Sequence, residues 1–146
     1  MKSEPTCYSI DDLKRDGVGM WGDVRNYQAR NFMRDMRKGD TVLFYHSNVE
    51  PIGIVGIATV AREAYPDPTQ FDSSSYKFDP QSKKEDPRWS AVDLRFTKKF
   101  KQPCTLRELK NDPAFADMLV TQKGMRLSVQ PVAEKHVKRI LKYYSA

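Results

Sequence analysis

The sequence predicts a single α+β domain in which five or six strands form a small, partly open barrel with helices on its sides. Three observations lead there. The chain has 146 residues and no internal repeat, close to the commonest size for one domain. Apolar runs and alternations of strand length recur along it. The helical patterns are too few to alternate with those strands as a doubly wound sheet requires.

The elements follow in order. "PTCYSI" (5–10) reads as a first strand. "SIDDLKRD" then opens a short helix, with Ser9 and Asp12 as its start signal and Gly17 as its stop. "VGMWGDVR" (18–25) reads as a loop. In "NYQARNFMRDMRKGD" the residues Ala29, Phe32, Met33 and Met36 fall on one helical face, with Arg30, Arg34 and Arg37 opposite and Gly39 as terminator. "TVLFYHS" (41–47) and "IGIVGIATVAREAY" (52–65) are two strands joined by a turn at "NVEP". Gly53 and Gly56 within the second mark a bulge or a close approach by another group. Residues 66–88, rich in Pro, Ser and Asp, form a long loop. Its aromatics Phe71, Tyr76 and Phe78 suggest that it is pinned to the body. "WSAVDLRFTKKF" (89–100) is a half-buried strand in which Val92, Leu94 and Phe96 alternate with polar residues. Thr105 and Glu108 form a capping box for the next helix, and "AFADMLV" continues as a second short one. "MRLSVQPV" (125–132) is a last strand. A helix over 133–144 buries Val137, Ile140, Leu141 and Tyr144 and leaves His136 at the surface.

Composition narrows the function. The net charge is +6 and the pI about 9.3, which favours an acidic partner such as nucleic acid or a phosphorylated ligand. No apolar stretch approaches the ~20 residues of a membrane span. The first residues lack the apolar core of a signal peptide. The chain therefore reads as intracellular, cytoplasmic or, in a eukaryote, nuclear. Cys7 and Cys104 are far apart in apolar contexts and read as buried and inert, without a disulfide. Two cysteines and two histidines without close spacing do not suggest a zinc site. There is no G-x-S-x-G, P-loop or H-E-x-x-H pattern, and "GIVG" lacks the context of a dinucleotide motif. Neither a metal nor a cofactor is expected. Carboxylates for acid–base work would have to come from Asp67, Asp72 or Asp79 in the long loop.

The candidates for recognition are aromatic and polar. Trp21 and Trp89 each sit at a junction between loop and element, either as core anchors or as walls on which a nucleobase stacks, an interaction of about 1–3 kcal/mol per base. "YHSN" (45–48) places Tyr45, His46, Ser47 and Asn48 where a core strand ends. It is either a hydrogen-bonded strand terminus or a reader of a base edge. Asn26 is an N-cap or a ligand-facing amide. Arg25, Arg30, Arg34, Arg37 and Lys38 around the first long helix, and Lys98, Lys99 and Lys101 at the end of a strand, are either solvated faces or phosphate contacts.

Taken together, "VRNYQARNFMRDMRKGD", "LFYHSN", "GIVGIATVAREAYPD", "DPRWSAVDLRF" and "RLSVQP" resemble, in that order, the EVE domain family. The resemblance runs from residue 2 to 143 and makes that span one domain. One departure lies in "WGDVRN", where Asp23 stands at a position that relatives often fill with glycine. The resemblance implies a PUA-like fold, a pseudobarrel with flanking helices, akin to PUA, ASCH and YTH domains. It further implies a reader of modified bases, methylated or hydroxymethylated, in DNA or RNA. Trp21, Asn26, Tyr27, Tyr45, His46, Ser47, Asn48 and Trp89 would then form the base pocket, and Arg25, Arg30, Arg34, Lys98 and Lys99 would contact phosphates. The competing expectation is a hydrolase on modified nucleosides, as among ASCH-type relatives, in which Asp67 or Lys123 would act. A role in protein interaction through the long loop is the third.

Overall fold

The computed structural model describes residues 1–145. In chain order it contains β1 (Lys2–Ser3), α1 (Ile10–Asp16), β2 (Val18–Trp21), α2 (Tyr27–Asp35), β3 (Thr41–His46), β4 (Gly53–Pro66), β5 (Ser90–Thr105), α3 (Leu106–Asn111) and α4 (Glu134–Tyr144). Three single 3-10 turns add to these, at Pro68–Phe71, Pro113–Phe115 and Leu119–Thr121. The strands form one mixed sheet in the order β1-β3-β4-β5-β2, with β1 parallel to β3 and every other pair antiparallel. The fold is α+β, as the pattern predicts. The barrel is not closed.

Its curvature comes from the long central ribbon. β4 and β5 span 14 and 16 residues, and their pairing shifts register at four places. Each shift adds local twist, so the sheet coils rather than lying flat. One shift falls at Gly56, where an added Cβ would lie 2.3 Å from the Lys98 carbonyl oxygen. No side chain fits there. The coiling brings the two edge strands round to one place. Lys2 and Ser3 of β1, and Met20 and Trp21 of β2, line a single open groove, although the strands stand at opposite ends of the sheet. The groove is the seam at which the barrel fails to close.

Two hydrophobic clusters fill the inside. One joins Ile10 and Leu13 of α1 and Ala29 and Met33 of α2 to Phe44, Val60 and Leu94 of the sheet. Ala29 and Met33 are fully buried, so α2 turns inward on the stripe its periodicity predicts. Burying Met33 alone is worth about 1.5–3 kcal/mol. The other cluster joins Leu43, Ile54 and Phe100 to Leu109 of α3 and Ile140 of α4. Both expected capping boxes are present: Ser9 and Asp12 bond reciprocally at the start of α1, and Thr105 and Glu108 at the start of α3. Among the described residues no helix is long and apolar enough to cross a membrane.

Several expectations are corrected. Residues 5–8 are a turn and not a strand. Pro5 has no N–H to give a ladder, and the Cys7 and Tyr8 N–H groups both donate to the Glu4 carbonyl. The strand β2 occupies what reads as a loop. Val18 and Met20 point outward and Gly19 and Trp21 inward, paired with Arg95 to Val92 of β5. A Cβ at Gly19 would lie 2.6 Å from the Tyr8 hydroxyl, so a side chain there would have to displace that phenol. Residues 125–132 form no strand. Beside a two-residue β1 they gain one ladder-like bond, from Lys2 N–H to the Ser128 carbonyl. Gly39 does not end α2, which stops at Asp35; its left-handed φ of 94° serves the following turn. His136 is buried against Phe115, with Nε2 at 2.9 Å from Asp117 Oδ1. Cys7 is exposed, whereas Cys104 is buried and its thiol pushed up to about 11 by burial.

One row of rings crosses the core. Trp21 meets Phe44 edge-on at 5.5 Å, and Phe44 meets His46 edge-on at 5.8 Å. His46 Nε2 accepts a hydrogen bond from the Ile10 N–H, an otherwise unpaired donor of the first turn of α1, at 3.1 Å. That bond needs the neutral ring. Burial holds the imidazole below its usual 6.5, against the pull of Asp11 and helped by Lys99. The unfolded chain therefore binds the extra proton first, and the contribution of His46 to stability is complete above pH 6.5 and shrinks as pH falls below it. Thermal melts from pH 7.5 to 5.5 should show a falling Tm in the native chain and a flatter profile in His46→Gln, which keeps an acceptor but does not titrate. Equal slopes in the two would show that the Ile10 bond is not what the proton breaks.

Candidate nucleic-acid interface

The open groove has a volume of about 740 Å³. One wall is the start of the chain, with Lys2, Ser3, Glu4, Cys7 and Tyr8. The floor is Met20 and Trp21. The other wall is Gly22 to Asn26 with Tyr76 and Lys77 of the long loop, and Ser128 closes one end.

The second wall is built on one carboxylate. Asp67 is 0% exposed. Its Oδ2 accepts from the Asp23 N–H at 2.7 Å and from Arg25 Nη1 at 3.1 Å. Its Oδ1 accepts from the Thr69 N–H at 2.9 Å, and the Thr69 hydroxyl lies 2.7 Å away. Burial pushes this carboxyl up, but the donors prevail and hold it below 3.8. Arg25 spends its remaining donors on the Val24 and Lys77 carbonyls and on Thr69 Oγ1. The ion pair thereby fastens Tyr76 and Lys77 beside the end of β2. Asp23 sits in the left-handed region with φ of 62°, a conformation that aspartate tolerates better than most residues. The bond from its backbone N–H to Asp67 holds the turn in that conformation.

The sequence-predicted site residues separate into groups. Trp21 and Asn26 line the groove. Asn26 also caps α2: its Oδ1 accepts from the Ala29 N–H at 3.0 Å, which leaves the amide N–H donors without a partner among the described residues. Trp89 is 6% exposed and lies outside the groove. Its indole N–H donates to Asp79 Oδ2 at 2.8 Å, and its backbone is bonded on both sides to Gln70. It anchors the long loop, with the Arg25 guanidinium 5.5 Å from its ring. Tyr27 stacks on it at 4.8 Å and is half exposed. The loop is thus pinned through polar bonds to Trp89, Gln70 and Arg25, not through Tyr76 and Phe78, which stay exposed.

Each residue of "YHSN" has a local task. Tyr45 lines a separate cavity of about 30 Å³, room for a water or two and too small for a base. His46 bonds α1 as described. The Ser47 N–H donates to the Ser3 carbonyl, extending the β1–β3 pairing. Asn48 takes a left-handed φ of 65°, and its Nδ2 donates to Glu4 Oε1 at 2.6 Å. The stretch stands behind the groove and orients Glu4 at its rim.

The five cations expected at phosphates all have partners within the chain. Arg25 is spent as above. Arg30 donates to the Arg88 carbonyl and Asn31, and Arg34 to Ser90 and to the Pro87 carbonyl. Lys98 reaches the Ser145 carbonyl, and Lys99 pairs with Asp11. The exposed Lys99–Asp11 pair is weak and could be given up to an anion. The groove itself carries Lys2 and Lys77. Sequence reasoning missed Tyr76, which is 86% exposed at the groove, and did not single out Asp23, Glu4 and Lys2. The one signal for Tyr76 was an aromatic residue set in the polar run "SSSYK".

The model of the EVE domain family matches residues 1–143. The chain belongs to the EVE domain family. Among its relatives, thymocyte nuclear protein 1 of Mus musculus is 42% identical over 161 residues, covering 97% of this chain and 70% of that protein. The human protein of that name is 39% identical, covering 97% of this chain and 71% of that protein. Solved structures agree with the fold. A Pseudomonas syringae protein superposes with a TM-score of 0.93 at 45% identity, covering 97% of this EVE domain and 95% of that chain. The human THYN1 protein, in complex with 5-methylcytosine-containing DNA, superposes with a TM-score of 0.89 at 38% identity, covering 97% and 94%.

The buried pair yields a stability prediction. Arg25→Gln would leave the Asp67 charge buried with one charged donor fewer and should cost about 3 kcal/mol in urea unfolding. Arg15→Gln, which breaks exposed pairs on α1, should leave the midpoint unchanged. Similar midpoints for the two variants would show that the second wall does not depend on this pair.

Proposed function

We propose that this EVE domain binds DNA carrying a modified base, 5-methylcytosine being the foremost candidate, and that it does so without chemistry. The base leaves the stack and enters the groove, where it lies on Trp21 with Tyr76 closing over it. The observation that carries this reading is the pairing, in one groove, of an indole fixed in the core with a phenol that is almost fully exposed. A ring held on one side and free on the other suits a base that arrives from solvent. The volume of about 740 Å³ falls within the usual range for ligand sites. A comparable cleft of about 710 Å³ between α2 and α4 carries three carboxylates, Asp35, Asp40 and Glu134, against one lysine, Lys138, and its single aromatic, Phe32, offers no second ring. The human relative bound to methylated DNA supports the ligand class.

Lys77 takes the role of phosphate contact at the groove, since the arginines first considered, and Lys2 through the Met125 carbonyl, are bonded within the chain. The hydrolase reading finds less support. Asp67 is surrounded by four donor contacts and has no face on the groove, and Lys123 does not line it.

Binding to matched oligonucleotides with and without 5-methylcytosine, at one fixed salt concentration, tests the proposal. The native chain should prefer the methylated strand at least tenfold, about 1.4 kcal/mol. Trp21→Ala and Tyr76→Ala should each lower that affinity by about 1–3 kcal/mol, and the oligonucleotide should be recovered intact. Equal affinity for both strands, set by salt alone, would reduce the interaction to charge and overturn the reading.

A further inference from the structure

A pocket that senses only a methyl group cannot identify 5-methylcytosine in DNA. Thymine carries the same methyl at the same ring position and is present throughout any genome. The two bases differ at position 4, where cytosine presents an amino donor and thymine a carbonyl acceptor. A groove that accepts the one and refuses the other needs a hydrogen-bond acceptor aimed at that position, and a carboxylate is the acceptor that cytosine amino groups favour.

Three carboxylates stand at or behind this groove. Asp67 has no exposed surface and is occupied by Asp23, Arg25 and Thr69. Glu4 stands at the rim with one oxygen bonded to Asn48. Asp23 lies in the wall between Trp21 and Asn26, fixed through its backbone bond to Asp67, with Thr69 Oγ1 at 2.8 Å from its Oδ1. That hydroxyl stands as close to Asp67 and can donate to only one of them, so Asp23 keeps acceptor capacity for a ligand. Asp23 and Tyr76 line the groove together, and the Asp23 carboxylate raises the Tyr76 phenol by its charge and by a side-chain hydrogen bond, so a base entering there shares that carboxylate with the phenol. Asn26, three residues on, offers unpaired amide donors to the neighbouring ring acceptors of the base.

We infer that Asp23 is the specificity-determining residue of the groove: its carboxylate accepts the 4-amino group of a modified cytosine stacked on Trp21, and repels the 4-carbonyl of thymine. The inference rests on the proposed function and narrows its ligand from modified bases in general to amino-bearing pyrimidines. The left-handed backbone at Asp23 fixes the position of the carboxylate, since asparagine and glycine keep that conformation and other residues strain it.

The test uses duplexes in which the site base, 5-methylcytosine, cytosine or thymine, stands opposite an abasic position, so that no difference in pairing energy enters. The native chain should bind 5-methylcytosine at least tenfold more tightly than thymine. Asp23→Asn, whose amide can donate to a 4-carbonyl, should bring that ratio within about threefold, and Asp23→Gly should do the same while keeping the backbone conformation. Both variants should melt within a few degrees of the native chain. If the native chain does not separate 5-methylcytosine from cytosine, the proposed function itself fails. If it does, and Asp23→Asn and Asp23→Gly still reject thymine as the native chain does, the groove reading stands and the role of Asp23 is overturned.

Discussion

The Asp67 carboxylate holds together what would otherwise be three separate pieces of chain. It is fully buried, it accepts from the backbone of Asp23, from Arg25 and from Thr69, and Arg25 passes the connection on to Lys77. A charge so deep in the protein is costly unless every lone pair is met, and here each oxygen has two donors within reach. The consequence is positional. The end of β2, the 3-10 turn after β4 and the tip of the long loop are locked in one arrangement, and that arrangement is the second wall of the groove. Trp89 and Gln70 brace the same loop from behind through the Asp67 and Trp89 carbonyls.

The sheet supplies the rest. A strongly coiled β4–β5 ribbon would close into a barrel if its edge strands could pair, but β1 has two residues and β2 four. Short edges limit unwanted pairing with other chains. In this fold they also leave a seam wide enough for a planar ligand. Trp21 stands at the end of β2 with its ring against Phe44, so the floor of the groove is continuous with the core, and binding there meets a rigid surface on one side. Tyr76 stands on the opposite side with little packing of its own. Rigidity beneath and freedom above suit capture of a base from solvent.

Much of this frame is legible in the sequence, because local rules and tertiary structure agree there. The capping boxes of α1 and α3, the buried stripe of α2 and the apolar strands β3 and β4 all follow from spacing of a few residues. The failures share a cause. β2 reads as a loop because glycines and an aspartate punctuate it; only pairing with β5, seventy residues away, makes it a strand. Arginines 25, 30 and 34 read as phosphate contacts because a run of charge does not reveal a carbonyl partner more than fifty residues away. "YHSN" attracts notice as a polar strand end, and the structure accounts for it by bonds to Ile10, Ser3 and Glu4. Tyr76 sits in a segment without period, where pattern carries no information about position. The family resemblance supplies the fold and a ligand class, and it leaves open which of two tryptophans meets the ligand; the proposal takes Trp21 because it lines the groove, whereas Trp89 is buried and bonded to Asp79.

Those two tryptophans also allow the most direct test of the account. Each indole N–H gives its own signal in a proton–nitrogen NMR spectrum, assignable by single substitution, and each reports on one place: Trp21 on the groove, Trp89 on the face shared with Tyr27. On titration with an oligonucleotide containing 5-methylcytosine, the Trp21 signal should shift or broaden while that of Trp89, bonded to Asp79, stays in place. A plain oligonucleotide should leave both near their starting positions. A spectrum in which Trp89 moves and Trp21 does not would put the base on the Tyr27 face and contradict the groove as the site of recognition.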